Sequence, residues 1–315
     1  MATISRPSEG LVCGASAFLI WGISPIYWRT LHEIPAFEIL MHRVVWSFLF
    51  LAPLILLQRR WNELKSVLRS PRALLILLAT TLFVACNWLI FIWAINNGYV
   101  LQTSLGYYIN PLLSVLLGMI FLRERLRRLQ VLAVLLAAAG VLYMTLKLGL
   151  LPWIALSLAL SFGLYGLVRK VAPVSPLVGL TVETLILTPP ALAYLIYLDH
   201  VGAGAFIRLS PRIDLLLMAS ALVTALPLLL FNLGAKQLHL STVGFLQYIV
   251  PSCFFLFAVF VFHEPISLVQ VWTFILIWGA LAIYSTDSVI FYKMRVKNIA
   301  GLPSRNEPMS SRSCR

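Results

Sequence analysis

Ionisable residues stand inside two long apolar runs: Glu38, His42 and Arg43 within residues 37–57, and Glu183 within 177–198. A charge at hydrocarbon depth costs at least roughly 2.5 kcal/mol, so each needs a partner or a task. Glu38 and His42 are four apart and share a helix face, while Arg43 is turned about 100° from His42. An imidazole and a desolvated carboxyl group can both exchange protons near neutral pH. Glu183 and His42, with Glu38, are therefore candidates to line a cavity and bind a substrate or a coupling proton. A structural reading stands beside this one, in which Arg43 ties helices together through Glu38 or Glu183. Glu38 lies so near the end of its run that simple solvation also accounts for it.

The uncharged polar residues in the other runs form a second set. Asn87, Trp88, Tyr107, Tyr108, Asn110, Asn232, Gln247 and Tyr248 can bind or stack on a substrate, and hydrogen bonding between helices explains them equally well. Pro111 and Pro251 each remove the N–H that would bond a carbonyl four residues back, at Tyr107 and Gln247, and so are hinge candidates. Glu124 and Glu264 close their runs; Glu124, among Arg123, Arg125, Arg127 and Arg128, reads as a local ion pair. No zinc-helix, nucleophile-elbow, phosphate-loop or paired-cysteine motif is present, and His42 and Ser47 fall on different helix faces. The expectation is no catalytic residue, no metal site and no cofactor. Cys13, Cys86 and Cys253 fall in apolar runs and Cys314 in the polar tail, with no spacing that suggests zinc or a disulfide framework.

The elements that must hold these residues follow from composition. Hydrophobic residues make up 61% of 315, charged residues 11%, and the mean hydropathy is +0.93, where a soluble domain is about half apolar and a quarter charged. About 20 apolar residues cross a bilayer, and ten such runs are present: 10–28, 37–57, 74–95, 103–122, 129–146, 151–168, 177–198, 213–233, 242–262 and 269–290. The first, lacking a small-residue cleavage site and followed by nine more, reads as a retained span rather than a signal peptide. The formal charge of +13 is not that of a nucleic-acid binder, because 19 of the 24 Lys and Arg fall between runs on one side of the alternating topology. That bias puts both termini in the cytoplasm. Tryptophans near span ends, such as Trp28 and Trp61, read as interface anchors.

The ten spans repeat. Tyr248-Ile249-Val250-Pro251 stands 140 residues after Tyr108-Ile109-Asn110-Pro111, and Glu264 140 after Glu124. Trp21-Gly22-Ile23 is echoed 141 residues on by Phe162-Gly163-Leu164, and Arg29 by Lys170; the same shift lays His42 on Glu183. Five spans per half is an odd number, so the second half is inverted with respect to the first, and a binding site is expected at the midplane where the repeats meet. The fold expected is an all-α integral membrane protein of ten transmembrane helices in two inverted five-helix repeats, 10–146 and 151–290. Residues 1–9 form a cytoplasmic N-terminus and 291–315 a basic, disordered cytoplasmic tail.

This arrangement resembles the EamA family of the drug/metabolite transporter superfamily. Trp21-Gly22, His42-Arg43-Val44-Val45-Trp46-Ser47, Asn87-Trp88, Phe91-Ile92-Trp93-Ala94, Gly106-Tyr107, Ile109-Asn110-Pro111, Tyr165-Gly166-Leu167-Val168-Arg169-Lys170, Val182-Glu183-Thr184, Gln247-Tyr248-Ile249 and Trp278 are similar to its RarD subfamily, over residues 8 to 292. The resemblance implies a bacterial inner-membrane carrier for a small organic molecule, working by alternating access, with export of an amino-acid-like or aromatic metabolite or a drug as the expected activity. The first span lacks the acidic residue with which small multidrug relatives handle protons, so proton coupling would fall to Glu183, His42 or Glu38, or be absent. A small-molecule substrate and the lipid bilayer are the expected partners, and a homodimer is compatible with the sequence. A non-transporting sensor or scaffold and a membrane-embedded lipid enzyme are the alternatives.

Overall fold

The computed structural model describes residues 7–97, 99–149, 153–260 and 267–300, and these form twelve helices. They are α1 (Pro7–Arg29), α2 (Ala36–Leu57), α3 (Trp61–Leu68), α4 (Pro71–Asn96), α5 (Val100–Phe121), α6 (Arg128–Leu148), α7 (Trp153–Val171), α8 (Pro176–His200), α9 (Pro211–Gln237), α10 (Leu240–Gln247), α11 (Ile249–Phe260) and α12 (Leu268–Ala300). Among the described residues, nine stretches are long and apolar enough to cross a membrane, and α5 supplies a shorter apolar run, Gly106–Phe121. Leu75, Leu135 and Leu146 are 68%, 62% and 70% exposed, a surface that lipid rather than water suits.

Local signals set the helix ends. Ser70-Pro71, Ser175-Pro176 and Ser210-Pro211 each start a helix, with the serine Oγ accepting from Ala73, Val178 and Ile213 N–H at 3.3, 3.4 and 3.3 Å. The proline fits at the first helical position because its missing N–H has no intrahelical partner there. Three boundaries differ from the sequence expectation. The stretch after α2 holds the short helix α3, which buries Leu64 and Val67 and whose Glu63 accepts from Ser175 N–H at 3.2 Å. The ninth span is broken into α10 and α11 at Tyr248. The last helix runs on to Ala300, ten residues past the expected end of the last span at 290.

The halves are interleaved rather than side by side. α1 packs along α9 and α11, α2 along α8 and α9, α4 along α7 and α8, α5 along α7 and α10, and α6 along α12. Exchanging each helix for its repeat equivalent (α1 with α7, α2 with α8, α4 with α9, α5 with α10 and α11, α6 with α12) returns the same pattern, as a two-fold relation between repeats requires. At one crossing the backbones nearly touch: a Cβ on Gly244 of α10 would lie 2.6 Å from the carbonyl oxygen of Pro111 on α5. Two aromatic cores result, one around Phe18, Tyr165 and Phe231 and one around Tyr108, Tyr248, Phe274 and Tyr284.

Candidate functional site

A cavity of about 550 Å³ lies between the halves. The first repeat gives it Trp21 and Trp28 from α1, Arg43 from α2, Asn87, Trp88 and Phe91 from α4, and Tyr107 and Asn110 from α5. The second gives Phe162 from α7, Thr224 from α9 and Gln247 from α10. Among the described residues the paired helices α6 and α12 contribute nothing to the wall. The cavity reaches the end of the bundle at which α1 stops and α2 begins, since Trp28 and Ala36 are both in its wall.

Arg43 is the charged residue of that wall. Its Nε donates to Thr224 Oγ1 at 2.8 Å, and its guanidinium lies 4.7 Å from the centre of the Trp28 ring and 5.3 Å from that of Trp88. Among the described residues it has no ion-pair partner, so it is not the tie to Glu38 or Glu183 that the sequence left open. Asn87 is pinned, donating to Leu158 O at 2.9 Å and Ser161 Oγ at 3.0 Å. Gln247 donates to Ser114 Oγ at 3.1 Å, while its Oε1 and the Oδ1 of Asn110 have no hydrogen-bond partner among the described residues.

The other candidates sit elsewhere. Glu183 is 2% exposed in a layer beneath the cavity, where it accepts from Thr80 Oγ1 at 2.6 Å and Tyr165 OH at 3.3 Å and faces Arg169 Nε at 3.5 Å. Asn232 donates to Tyr165 OH at 2.9 Å. The guanidinium of Arg169 fits only because residue 179 is glycine: a Cβ there would be 2.0 Å from its Nη1. His42 and Glu38 share a face, as expected, but it is turned away from the cavity. Glu38 is buried rather than solvated, because the α8–α9 connection folds over it and Ala205 N–H donates to its Oε1 at 2.6 Å. The His42 ring lies 5.2 Å from Phe206, and its Nε2 is 4.0 Å from Glu38. Tyr248 is buried at the break of the ninth span, its OH donating to Tyr108 O at 3.3 Å. Pro251 makes that break, since α10 stops at the carbonyl it leaves unpaired, whereas α5 runs unbroken through Pro111.

The end of the bundle opposite the cavity is closed by polar ties. Lys170 donates to Ala235 O at 2.9 Å and to Leu238 O, and Lys236 to Ala172 O at 2.8 Å and to Val174 O, which ties the ends of α7 and α9 to each other's carbonyls. Glu124 is not paired with the neighbouring arginines. Its carboxylate crosses to the other half and accepts from Leu240 N–H at 2.6 Å, Ser241 N–H at 3.0 Å and Ser241 Oγ at 2.8 Å, with His239 Nδ1 at 3.7 Å. The unpaired N–H groups and positive end of α10 attract it, and Arg127 turns instead to Asp287 at 2.6 Å. Burial pushes the Glu124 carboxyl up, but the hydrogen bonds from His239, Ser241 and Leu240 outweigh it and hold the group down at about 2; the same contact raises His239. Glu264 lies outside the described residues.

Sequence reasoning missed two things here. Trp28, read as an interface anchor, also flanks Arg43, and Arg169, read as a loop charge, is buried and faces Glu183. The 141-residue shift carried the signal, since it lays Trp28 on Arg169 as it lays His42 on Glu183. One repeat thus has an ion pair where the other has a ring and an imidazole.

The EamA-like transporter family matches residues 8–146 and 151–286, one copy for each half. An uncharacterized transporter of Vibrio cholerae is 50% identical over 281 residues, 89% of this chain and 93% of the relative. Protein RarD of Escherichia coli is 44% identical over 281 residues (89% and 95%), and a chloramphenicol-sensitive protein RarD of Pseudomonas aeruginosa is 34% identical over 284 residues (89% and 94%). A crystal structure at 20% identity superposes with a TM-score of 0.69 over 88% of this chain and 97% of that one, a likeness of fold. With nine membrane-length apolar stretches and a shorter tenth among the described residues, in two interleaved repeats around a shared cavity, the chain belongs to the EamA-like transporter family, within its RarD subfamily, as a multi-pass membrane protein.

Proposed function

We propose that this chain is a secondary transporter of the bacterial inner membrane, with both termini in the cytoplasm, that exports a small organic metabolite of amino-acid-like or aromatic character, or a drug, by alternating access. The observation that carries the reading is the shared cavity. It is built from both repeats, reaches one end of the bundle, and is separated from the other end by the buried layer of Thr80, Tyr165, Arg169 and Glu183. A site at the repeat interface with one end closed is the arrangement that rocking of one repeat against the other converts into its opposite. The charge bias of the loops assigns the closed end to the cytoplasm. A drug is included because one relative is named for chloramphenicol sensitivity. Among the described residues no lining side chain is a carboxyl or an imidazole, so proton coupling falls to Glu183 in the closed layer.

The test is uptake into proteoliposomes of labelled amino acids and small aromatic compounds, with and without an imposed pH gradient, for the wild type and Glu183→Gln. The expected result is movement of at least one compound above protein-free liposomes, with any response to the gradient lost in the variant. Failure of every compound to move overturns the reading.

A further inference from the structure

Among the described residues the cavity has one formal charge, and it is positive. Of the described residues in its wall only Arg43 is ionised, and three carboxylates on the surrounding helices are turned to partners elsewhere: Glu38 to Ala205 N–H, Glu183 to Thr80 and Tyr165, Asp214 to Ile207 N–H; Glu9, in the first turn of α1, is outside the wall. Guanidinium does not lose its proton in a protein, so this charge is permanent. Its Nε is taken by Thr224 and its faces lie against Trp28 and Trp88, which fixes the plane of the group. Among the described residues its two terminal nitrogens have no hydrogen-bond partner. A held guanidinium offering paired N–H groups matches a carboxylate, which accepts two parallel hydrogen bonds and supplies the missing charge. Around it Trp21, Phe91 and Phe162 form an apolar, aromatic wall, and nothing charged in that wall could take up an ammonium group.

We propose that this cavity is a binding site for organic monocarboxylates with an apolar or aromatic body, and that Arg43 is the residue that binds the carboxylate, so that anions are selected over neutral amides, amino-acid zwitterions and cations. The proposal rests on the transporter reading only for the fate of the ligand. The amide ends of Asn110 and Gln247, also in the wall, add polar atoms for a second substituent on the ligand body.

The experiment is a binding titration of the purified full-length chain in lipid nanodiscs, read by the fluorescence of its tryptophans, three of which line the cavity. The probes are phenylacetate, phenylacetamide, phenylalanine and benzylamine, each against the wild type, Arg43→Lys and Arg43→Gln. Phenylacetate should bind about tenfold or more tightly than its neutral isostere phenylacetamide, the worth of a hydrogen bond to a charged partner. Phenylalanine and benzylamine should bind more weakly than phenylacetate. Arg43→Gln should remove the preference for phenylacetate over the amide, and Arg43→Lys should retain only part of it, because a point charge keeps the attraction and loses the fork. Equal binding of phenylacetate and phenylacetamide by the wild type, stronger binding of benzylamine, or no binding of phenylacetate overturns the proposal without recourse to a variant. An unchanged preference in Arg43→Gln, with its melting temperature and elution profile intact, overturns it as well. The transporter reading is judged separately: transport of a neutral or cationic compound that phenylacetate does not compete supports that reading while sinking this site, and phenylacetate binding with no transport of any compound does the reverse.

Discussion

Glu183 and Arg43 exchange the roles that their residue types suggest. The sequence marks both as charges at hydrocarbon depth but does not say which way each points, because in helices apolar on every side no polar stripe marks the inward face. Arg43 is therefore in the cavity and Glu183 in the buried layer beneath it. Replacing Glu183 by Gln leaves Arg169 buried without its counter-charge, and breaking such a pair costs about 3–5 kcal/mol. The melting temperature of the purified protein should fall by several degrees. The apolar pair Glu183→Leu with Arg169→Met should lose less than the single change; a double variant as unstable as the sum of its parts would show that the two groups do not depend on each other. Glu124 gives a dependence on pH. Its ordinary value of 4.5 is depressed to about 2 in the folded protein, so the stability it adds is present above pH 4.5 and drains away as the pH falls toward 2. His239 is raised, so its part is complete below its ordinary 6.5 and is lost as the pH climbs through its folded value. Melting temperatures from pH 2 to 8 should show both limbs, and Glu124→Gln should flatten them.

Among the elements, the helices were legible because hydrocarbon thickness fixes how long an apolar run must be, and every expected span contains the core of a helix. The short helix α3 was not, since its apolar residues are only those of one narrow face, and α12 was cut short because a charged sequence does not by itself end a helix. The proline repeat predicts two matched hinges, and the fold has one helix break. Pro251 parts α10 from α11, while Pro111 sits in an unbroken α5 pressed against Gly244. Pro251→Ala restores a donor for the Gln247 carbonyl and should make the ninth span continuous, raising the melting temperature and slowing transport, whereas Pro111→Ala should do neither to the same extent; equal effects would mean that the break does not act as a hinge. Gly244→Val places methyl groups where the Pro111 carbonyl already lies and should destabilise by about 1–3 kcal/mol, as overpacking does, read as a lower melting temperature.

At the scale of the whole molecule, the duplication was legible from four residues at a constant spacing, but the interleaving was not, because a repeat in sequence says nothing about which copies touch. Each long helix of one half rests chiefly on helices of the other, so the halves share cores rather than owning one each. Separate chains of residues 1–149 and 150–315 expressed together should therefore copurify as one complex, and a first half that is stable and monodisperse alone would contradict the packing. A last consequence follows from the permanent charge of Arg43. In a carrier that turns its cavity from one face to the other, that charge changes its place in the membrane field when the site is empty, and a bound anion cancels it. A full unit charge moved across 100 mV amounts to about 2.3 kcal/mol, so the unloaded return step, and not the loaded one, becomes the electrical step of the cycle. Imposing a potassium diffusion potential on proteoliposomes should then alter the rate of net transport but leave exchange of substrate for substrate unaffected.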